Sequence, residues 1–241
     1  MGAGARPVLD AIRNDIVEGV VPPGSALEVD ALAAAHDVSR IPVREALMTL
    51  VGEGLVDHQP RRGYTVALLA DGELAELFDV RGTLELAALR VAVRLGGPDD
   101  VAAARAAHEA LQRAAAAGDE REYHHHSRAF HAALTRPSAM PRLLGVFERI
   151  WDLTEPYRPM DDLEPREAER LHRDHVAMLE AFTTGDADRL LAVATTHHEN
   201  LSARVRARPS ATAARVPAPP VRRSRHRTLG AQRTGGAEGW T

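Results

Sequence analysis

Cysteine is missing from all 241 residues of this chain. Disulfide staples and thiolate chemistry are therefore excluded, and a reducing compartment, the cytoplasm, is the expected setting. Lysine is missing too: the 30 basic residues are all arginine, a bias read as genome composition more than as function. No apolar run approaches the ~20 residues that a membrane-spanning helix needs. Met1 to Pro7 shows no apolar leader core, so neither a membrane partner nor export is expected. There is no glycine-rich phosphate loop, no HExxH pair, no nucleophile beside a base and no carboxylate dyad at useful spacing, which leaves the common enzyme classes without support. The length suits a small unit plus a larger one, each with its own core.

What is present concentrates first in Val38 to Val66, VSRIPVREALMTLVGEGLVDHQPRRGYTV. Ser39 stands where an N-cap would accept backbone hydrogen bonds from a helix starting at Arg40. Pro42 is tolerated in that helix's first turn, and Glu45 suits its dipole. Val43, Leu47, Leu50 and Val51 recur at helical spacing, so Arg40 and Arg44, four residues apart, project together from the N-terminal end. Upstream, Val8, Leu9, Ile12, Ile16 and Val20 predict a first amphipathic helix stopped by Val21-Pro22-Pro23-Gly24, and Leu27 to His36 a short second one. Downstream, Leu55-Val56 and Tyr64-Thr65-Val66 predict two strands around Gln59-Pro60-Arg61-Arg62-Gly63. Paired arginines beside a glycine at a hairpin tip suit phosphate or the minor groove. The whole reads as a winged helix-turn-helix that pushes its third helix into the major groove of double-stranded DNA.

Net charge of −4 hides an uneven distribution. Residues 1–70 hold six Arg against nine Asp plus Glu, 71–203 fifteen against 24, and 204–241 nine against one. The first unit is thus not globally basic, although phosphate affinity rests on cations. Position offsets this: four of its six arginines, Arg40, Arg44, Arg61 and Arg62, lie in the reading helix or the wing.

The phrases PPGSAL, LAAAHDVSRIPVREAL, LVGEGLV and PRRGYTV, within about Val8 to Val66, resemble the DNA-binding domain of the GntR family of bacterial transcription regulators. The resemblance implies operator contacts at Ser39, Arg40, Arg44 and Gly63; Pro42, Arg61 and Arg62 join them as candidates from the residue reading. An arginine that some members carry in the second helix has no match here, where Val29, Asp30 and Ala31 stand.

From Asp71 the pattern becomes long helices without strands: Glu73–Leu95, Asp99–Ala117, Glu120–Thr135, Met140–Thr154, Pro165–Thr184 and Asp186–Ala207, punctuated by Gly and Pro. This predicts a mostly α protein whose second part is an antiparallel bundle of six to seven helices, an architecture that builds ligand and metal sites from inward-facing side chains. His131, His175 and His197 each sit on a different helix among apolar neighbours. Three imidazoles from three helices can converge on one divalent ion, while any one alone is more often a packed core histidine. His124 to His126 read as a solvated helix end, with His124 a distant fourth ligand at best. His198 is the substitute for His197 if the register slips by one, and His108 and His172 read as surface or packing residues. Asp174 is expected to face away from the site.

VRGTLELAALRVAV, SRAFHAALTRPSAMPRLL, RDHVAMLEAFTTGDADRL and His197 are similar to the FCD ligand-binding domain of FadR-like GntR regulators. That resemblance implies a metal held by three histidines and an acid, with zinc or nickel as first choices, a small organic or sugar acid as effector, and a homodimer. The histidines map to His131, His175 and His197, but the acid's position, one turn before His131, holds Ser127. Arg81 matches a family arginine suited to gripping a carboxylate, a salt bridge to Glu85 being its plain alternative. Tyr157 and Arg158 are candidate pocket residues. The organisation expected is 1–70 DNA-binding, 71–207 effector-binding and dimerising, and 208–241 a disordered basic tail. The function expected is a ligand-responsive repressor on a pseudo-palindromic operator; the alternative is a metal-dependent enzyme using the three histidines to activate water.

Overall fold

The computed structural model describes residues 5–158, 160–161 and 163–207; the stretch read as a basic tail, 208–241, lies outside them. The N-terminal unit runs α1 (Ala5–Val17), β1 (Ala26–Leu27), α2 (Val29–Ala35), α3 (Arg40–Glu53), β2 (Val56–Gln59) and β3 (Gly63–Val66). The strands form an antiparallel sheet in the order β1-β3-β2. Val8, Leu9, Ile12 and Ile16 of α1 pack on Val43, Leu47 and Leu50 of α3, and Leu27, Tyr64 and Val66 close the core from the sheet. The 3.6-residue period of those positions is what makes α1 and α3 helices with one buried face.

Three local details differ from the sequence expectation. Leu27, expected to begin the second helix, instead forms a two-residue strand with Ala26, pairing with Tyr64 and Thr65; two residues are too few to show alternation. Val20 is 64% exposed, because α1 ends at Val17 and Gly19 at φ +71° turns the chain away. Ser39 is the N-cap of α3 by backbone but its hydroxyl makes no capping bond. The reason lies in Pro42: it occupies the third helical position, whose N–H the cap would bind, and proline has none.

The second unit is α4 (Asp71–Leu95), α5 (Pro98–Ala117), α6 (Glu120–Thr135), α7 (Pro141–Thr154), α8 (Pro165–Thr184) and α9 (Ala187–Ala207), with single 3₁₀ turns at 136–138 and 155–157. Pro98, Pro141 and Pro165 each open their helix, where a missing N–H costs nothing. Asp119 caps α6 by accepting the Glu122 N–H at 3.0 Å. Leu89, Ala92, Phe130, Leu134, Met178, Ala181, Phe182, Leu190 and Ala194 form the bundle core. Among the described residues no helix is long and apolar enough to cross a membrane.

The two units meet at the end of α7 and the turn after it. Leu153 packs against the N-terminal core. Arg13 pairs with Glu53 of α3 and lies 3.9 Å from Asp152, which also binds Arg128 of α6 at 2.6 Å. The Tyr157 hydroxyl accepts the Leu69 N–H at 2.6 Å, and the Arg158 guanidinium donates to the Glu18 carbonyl.

Gly82 marks the closest helix approach beside the buried histidines: a Cβ there would lie 2.9 Å from His198 Cγ. Replacing helical Gly by Ala gains about 1 kcal/mol of propensity, whereas overpacking a pinned core costs about 1–3 kcal/mol. Because His198 is itself buried, Gly82→Ala is expected to lower stability on balance. Denaturant unfolding checks this, a stability gain being the contrary result.

Candidate functional site

The outer face of α3 exposes Arg40 and Arg44 and, less expectedly, Ile41 at 68% and Met48 at 51%. Positions 41, 44, 45 and 48 make one stripe, and the sequence reading missed its apolar members. They were legible as the hydrophobic residues left over once Val43, Leu47 and Leu50 were assigned inward. Arg40 Nε lies 2.5 Å from Asp30 of α2, so an acid of the second helix holds this side chain. In the wing, Arg61 and Arg62 are both exposed. Gln59 to Arg62 form a tight turn, with Arg61 at φ +69° after Pro60 and the Arg62 N–H on the Gln59 carbonyl at 3.0 Å. Gly63 follows at φ +89°, a conformation favouring glycine, and His58 stacks on Tyr64 across the hairpin, ring centroids 4.5 Å apart.

In the bundle, α6, α8 and α9 bring His131, His175 and His197 together, all three buried, each offering a ring nitrogen within 4.8 Å of the other two. Ring centroids are 5.2 Å (131–175), 5.3 Å (131–197) and 4.9 Å (175–197) apart. His131 Nδ1 is 2.6 Å from Glu85 and His197 Nδ1 is 3.4 Å from Asp174. A carboxylate only accepts, so each Nδ1 carries the proton and each Nε2 presents its lone pair inward. His175 Nε2 is buried without a hydrogen-bond partner. Burial, then the neighbouring His197 and His131, holds His175 well below the ordinary imidazole range. Burial likewise pushes His197 down to about 4 despite Asp174, so both are neutral and available at pH 7. This donor set fits a divalent first-row ion. Ser127 lines the same cavity and supplies no charge. Asp174, expected to face away, reaches His197 because α8 and α9 pack closely enough for the residue beside His175 to meet the next helix.

Glu85 is fully buried between His131 and His198, whose Nε2 is 3.0 Å from its second oxygen. Burial alone would raise its pKa, yet the two histidines hold it well below the carboxylate range. It makes no ion pair with Arg81, so the plain alternative for Arg81 is not what forms. Arg81 is 2% exposed, its Cζ 4.2 Å from both the Phe78 and Trp151 rings. Among the described residues Arg81 has neither a hydrogen bond nor an ion pair, and burial pulls it down to about 10. It lines the cavity of the three histidines.

His124 corrects the sequence reading of a solvated helix end. It is 3% exposed, its Nδ1 2.9 Å from Glu155 and its Nε2 2.9 Å from Asp161, which leaves neither nitrogen for a fourth metal bond. Glu155 also accepts from Trp151 Nε1 at 2.7 Å; against its burial, these donors and Arg81 keep it below the usual range. His108 is buried against Phe130 and stacks on His172. Tyr157 and Arg158, read as pocket residues, stand instead at the junction with the N-terminal unit, because the 3₁₀ turn after α7 swings them toward Leu69 and Glu18.

A winged helix carrying exposed arginines, joined to a bundle with a buried cation and a histidine cluster, defines a regulator that reads DNA and senses a small molecule in one chain. Residues 5–66 match the family model described as bacterial regulatory proteins, gntR family, and residues 76–216 match the FCD domain. The chain is 30% identical over 151 residues to the HTH-type transcriptional repressor GlaR of Escherichia coli strain K12, covering 61% of this chain and 69% of that protein. It is 31% identical over 200 residues to a probable D-xylose utilization operon transcriptional repressor of Paenarthrobacter nicotinovorans, covering 80% and 84%. The solved structure of E. coli McbR/YncC superposes with a TM-score of 0.76 at 26% identity, over 85% of this chain and 98% of that one. The chain belongs to the GntR family, in the branch that carries an FCD domain, and it is a DNA-binding transcription regulator and not an enzyme.

The Arg40–Asp30 pair is exposed on both sides and so holds weakly. Asp30→Ala should tighten binding to non-specific duplex DNA by about two- to tenfold at low salt, with the gain shrinking as salt rises. Fluorescence anisotropy at two salt concentrations measures it; an unchanged affinity means Arg40 does not reach the phosphates.

Proposed function

We propose that this chain is a cytoplasmic repressor that binds a pseudo-palindromic operator as a homodimer and is released by a carboxylate effector held in the bundle. The observation that carries this is Arg81, a guanidinium buried without hydrogen bond or ion pair in the cavity of His131, His175 and His197. A buried charge left unpaired costs several kcal/mol, roughly, and an entering carboxylate removes that cost with a two-pronged charge-assisted grip. Those three histidines would hold a divalent ion, zinc or nickel by donor chemistry, which supplies a second anchor for a carboxylate oxygen.

The reading face consists of Ser39, Arg40, Pro42 and Arg44 on α3, with Arg61, Arg62 and Gly63 in the wing. Ile41 and Met48 add apolar surface suited to thymine methyl groups. Two such faces one helical turn apart read two half-sites, and the valines left exposed on the adjoining helices α4 and α7, Val80 and Val146, suit a dimer contact. The signal route is the end of α7: Trp151 and Glu155 line the cavity, while Asp152, Leu153, Tyr157 and Arg158 hold the N-terminal unit. A ligand that moves the first pair shifts the population of arrangements available to the second set. The division into 1–70, 71–207 and a tail from 208 is kept as part of this reading, supported by the separate cores on either side of Val66.

Arg44→Ala should weaken operator binding by about 1–3 kcal/mol, roughly 5- to 160-fold, with an unchanged circular dichroism spectrum; wild-type affinity in a gel-shift assay would count against the reading face. For the sensor, metal analysis should find about one divalent ion per wild-type chain and little in His175→Ala. A wild-type protein that stays empty through a zinc or nickel titration removes the metal from the proposal.

A further inference from the structure

The cavity enclosed by the three histidines and Arg81 measures about 10 Å³, room for roughly one water and too little for an organic acid. Next to it lies a cavity of about 620 Å³ between α5, the start of α6, the loop before α8 and α8 itself, within the range of small-molecule sites. Tyr123, His124, Met160 and His175 line both spaces, so the larger opens against the buried site across those four side chains. Its wall is mostly apolar, with Leu111, Ala114, Met160, Leu163, Ala168 and the Tyr123 ring, and Gln112 and His172 add polar groups. Its charges are one-sided. Arg81 and the histidines stand at the inner end, where the one carboxylate of the lining, Glu155, is taken up by His124, while Asp119, Glu120 and Glu169 line the larger space, which no arginine lines; Glu169 is paired with Arg173 at 3.1 Å.

Resting on the reading that Arg81 anchors an anionic effector, we infer that the effector is a monocarboxylic acid with an apolar body. Its head passes between Tyr123, His124 and His175 toward Arg81, and its alkyl or aryl tail fills the groove between α5 and α8. A sugar acid would set part of its hydroxyl shell against Leu111, Leu163 and Met160, which cannot hydrogen-bond it, with Gln112, His172 and the acids of the lining as partners. A dicarboxylate would set its second charge among Asp119, Glu120 and Glu169. The head enters only as Glu155 and Asp161 give way at His124, which ties binding to the α7 end that holds the N-terminal unit.

Calorimetric titration of the full chain, as purified, with butanoate, hexanoate, octanoate and decanoate tests this. Affinity should rise about fourfold per methylene while the tail lies in the groove, octanoate should bind at least tenfold tighter than suberate, gluconate or 1-octanol, and Arg81→Met should weaken every acid. Ala168→Phe, which fills the groove, should flatten the length dependence and leave butanoate unchanged; the wild-type series decides the matter even where that variant misfolds. Affinity independent of length, or suberate or 1-octanol binding as tightly as octanoate, overturns the inference. Gluconate binding more tightly than octanoate in an Arg81-dependent way overturns it while leaving the anionic-effector reading intact. If no carboxylate of any kind binds, both fall.

Discussion

A carboxylate with no exposure to water holds the sensing half together. Glu85 could not remain ionised inside the bundle without partners, since burying a lone charge costs several kcal/mol, roughly. His131 on one side and His198 on the other supply them. That requirement seats α4 against α6 and α9 at one register. It turns the Nε2 of His131 inward, and it makes Gly82 necessary, because only a hydrogen leaves space for the His198 ring. The three-histidine cluster is therefore ordered by a charge outside it. Ser127 brings no charge to the cluster, but carboxylates stand behind two of its rings, Glu85 at His131 and Asp174 at His197. Carboxylates behind the ligands raise imidazole basicity and fix the tautomer.

Arg81, one helical turn from Glu85 on α4, is the opposite case. Two aromatic faces cover it and no anion within the described residues pairs with it. The same helix thus carries a buried anion with two ion-pair partners and a buried cation with none. The end of α7 gives the site its reach. Between Trp151 and Arg158, Trp151 and Glu155 line the cavity while Asp152, Leu153, Tyr157 and Arg158 contact the N-terminal unit, so the two units share one short, two-sided element.

Much was legible in the chain itself, for reasons that differ residue by residue. Helix positions followed from the spacing of Leu89, Ala92, Phe130, Leu134, Met178 and Phe182 and from proline and glycine punctuation, because a helix must turn one stripe inward wherever it packs. His131, His175 and His197 stood out for the same reason: polar residues at core positions are expensive unless used. What escaped depended on contacts between segments distant in sequence. His124 looked like the start of a polar run until Glu155 and Asp161 closed over it from 31 and 37 residues away. Asp174 looked misdirected until α9 packed beside it, Tyr157 and Arg158 resembled pocket loops until the turn after α7 faced Leu69 and Glu18, and the strand at Ala26 had no signal until Thr65 and Tyr64 lay alongside.

The amino-acid sequence by itself determined the elements, their inward faces, the outward arginines Arg40 and Arg44 of the third helix, and His131, His175 and His197 as inward-facing candidates, since these rest on local periodicity and on chemistry carried by single residues. Tertiary structure alone decided which charges are paired and which are left over: Glu85 paired with two histidines, Arg40 held by Asp30, Arg81 stacked between rings with no direct ion pair, and a mostly apolar groove opening nearby. Pairing and cavity shape are properties of the distance between helices, and helix-to-helix distance is settled by packing many side chains at once, which no stretch of the chain records alone.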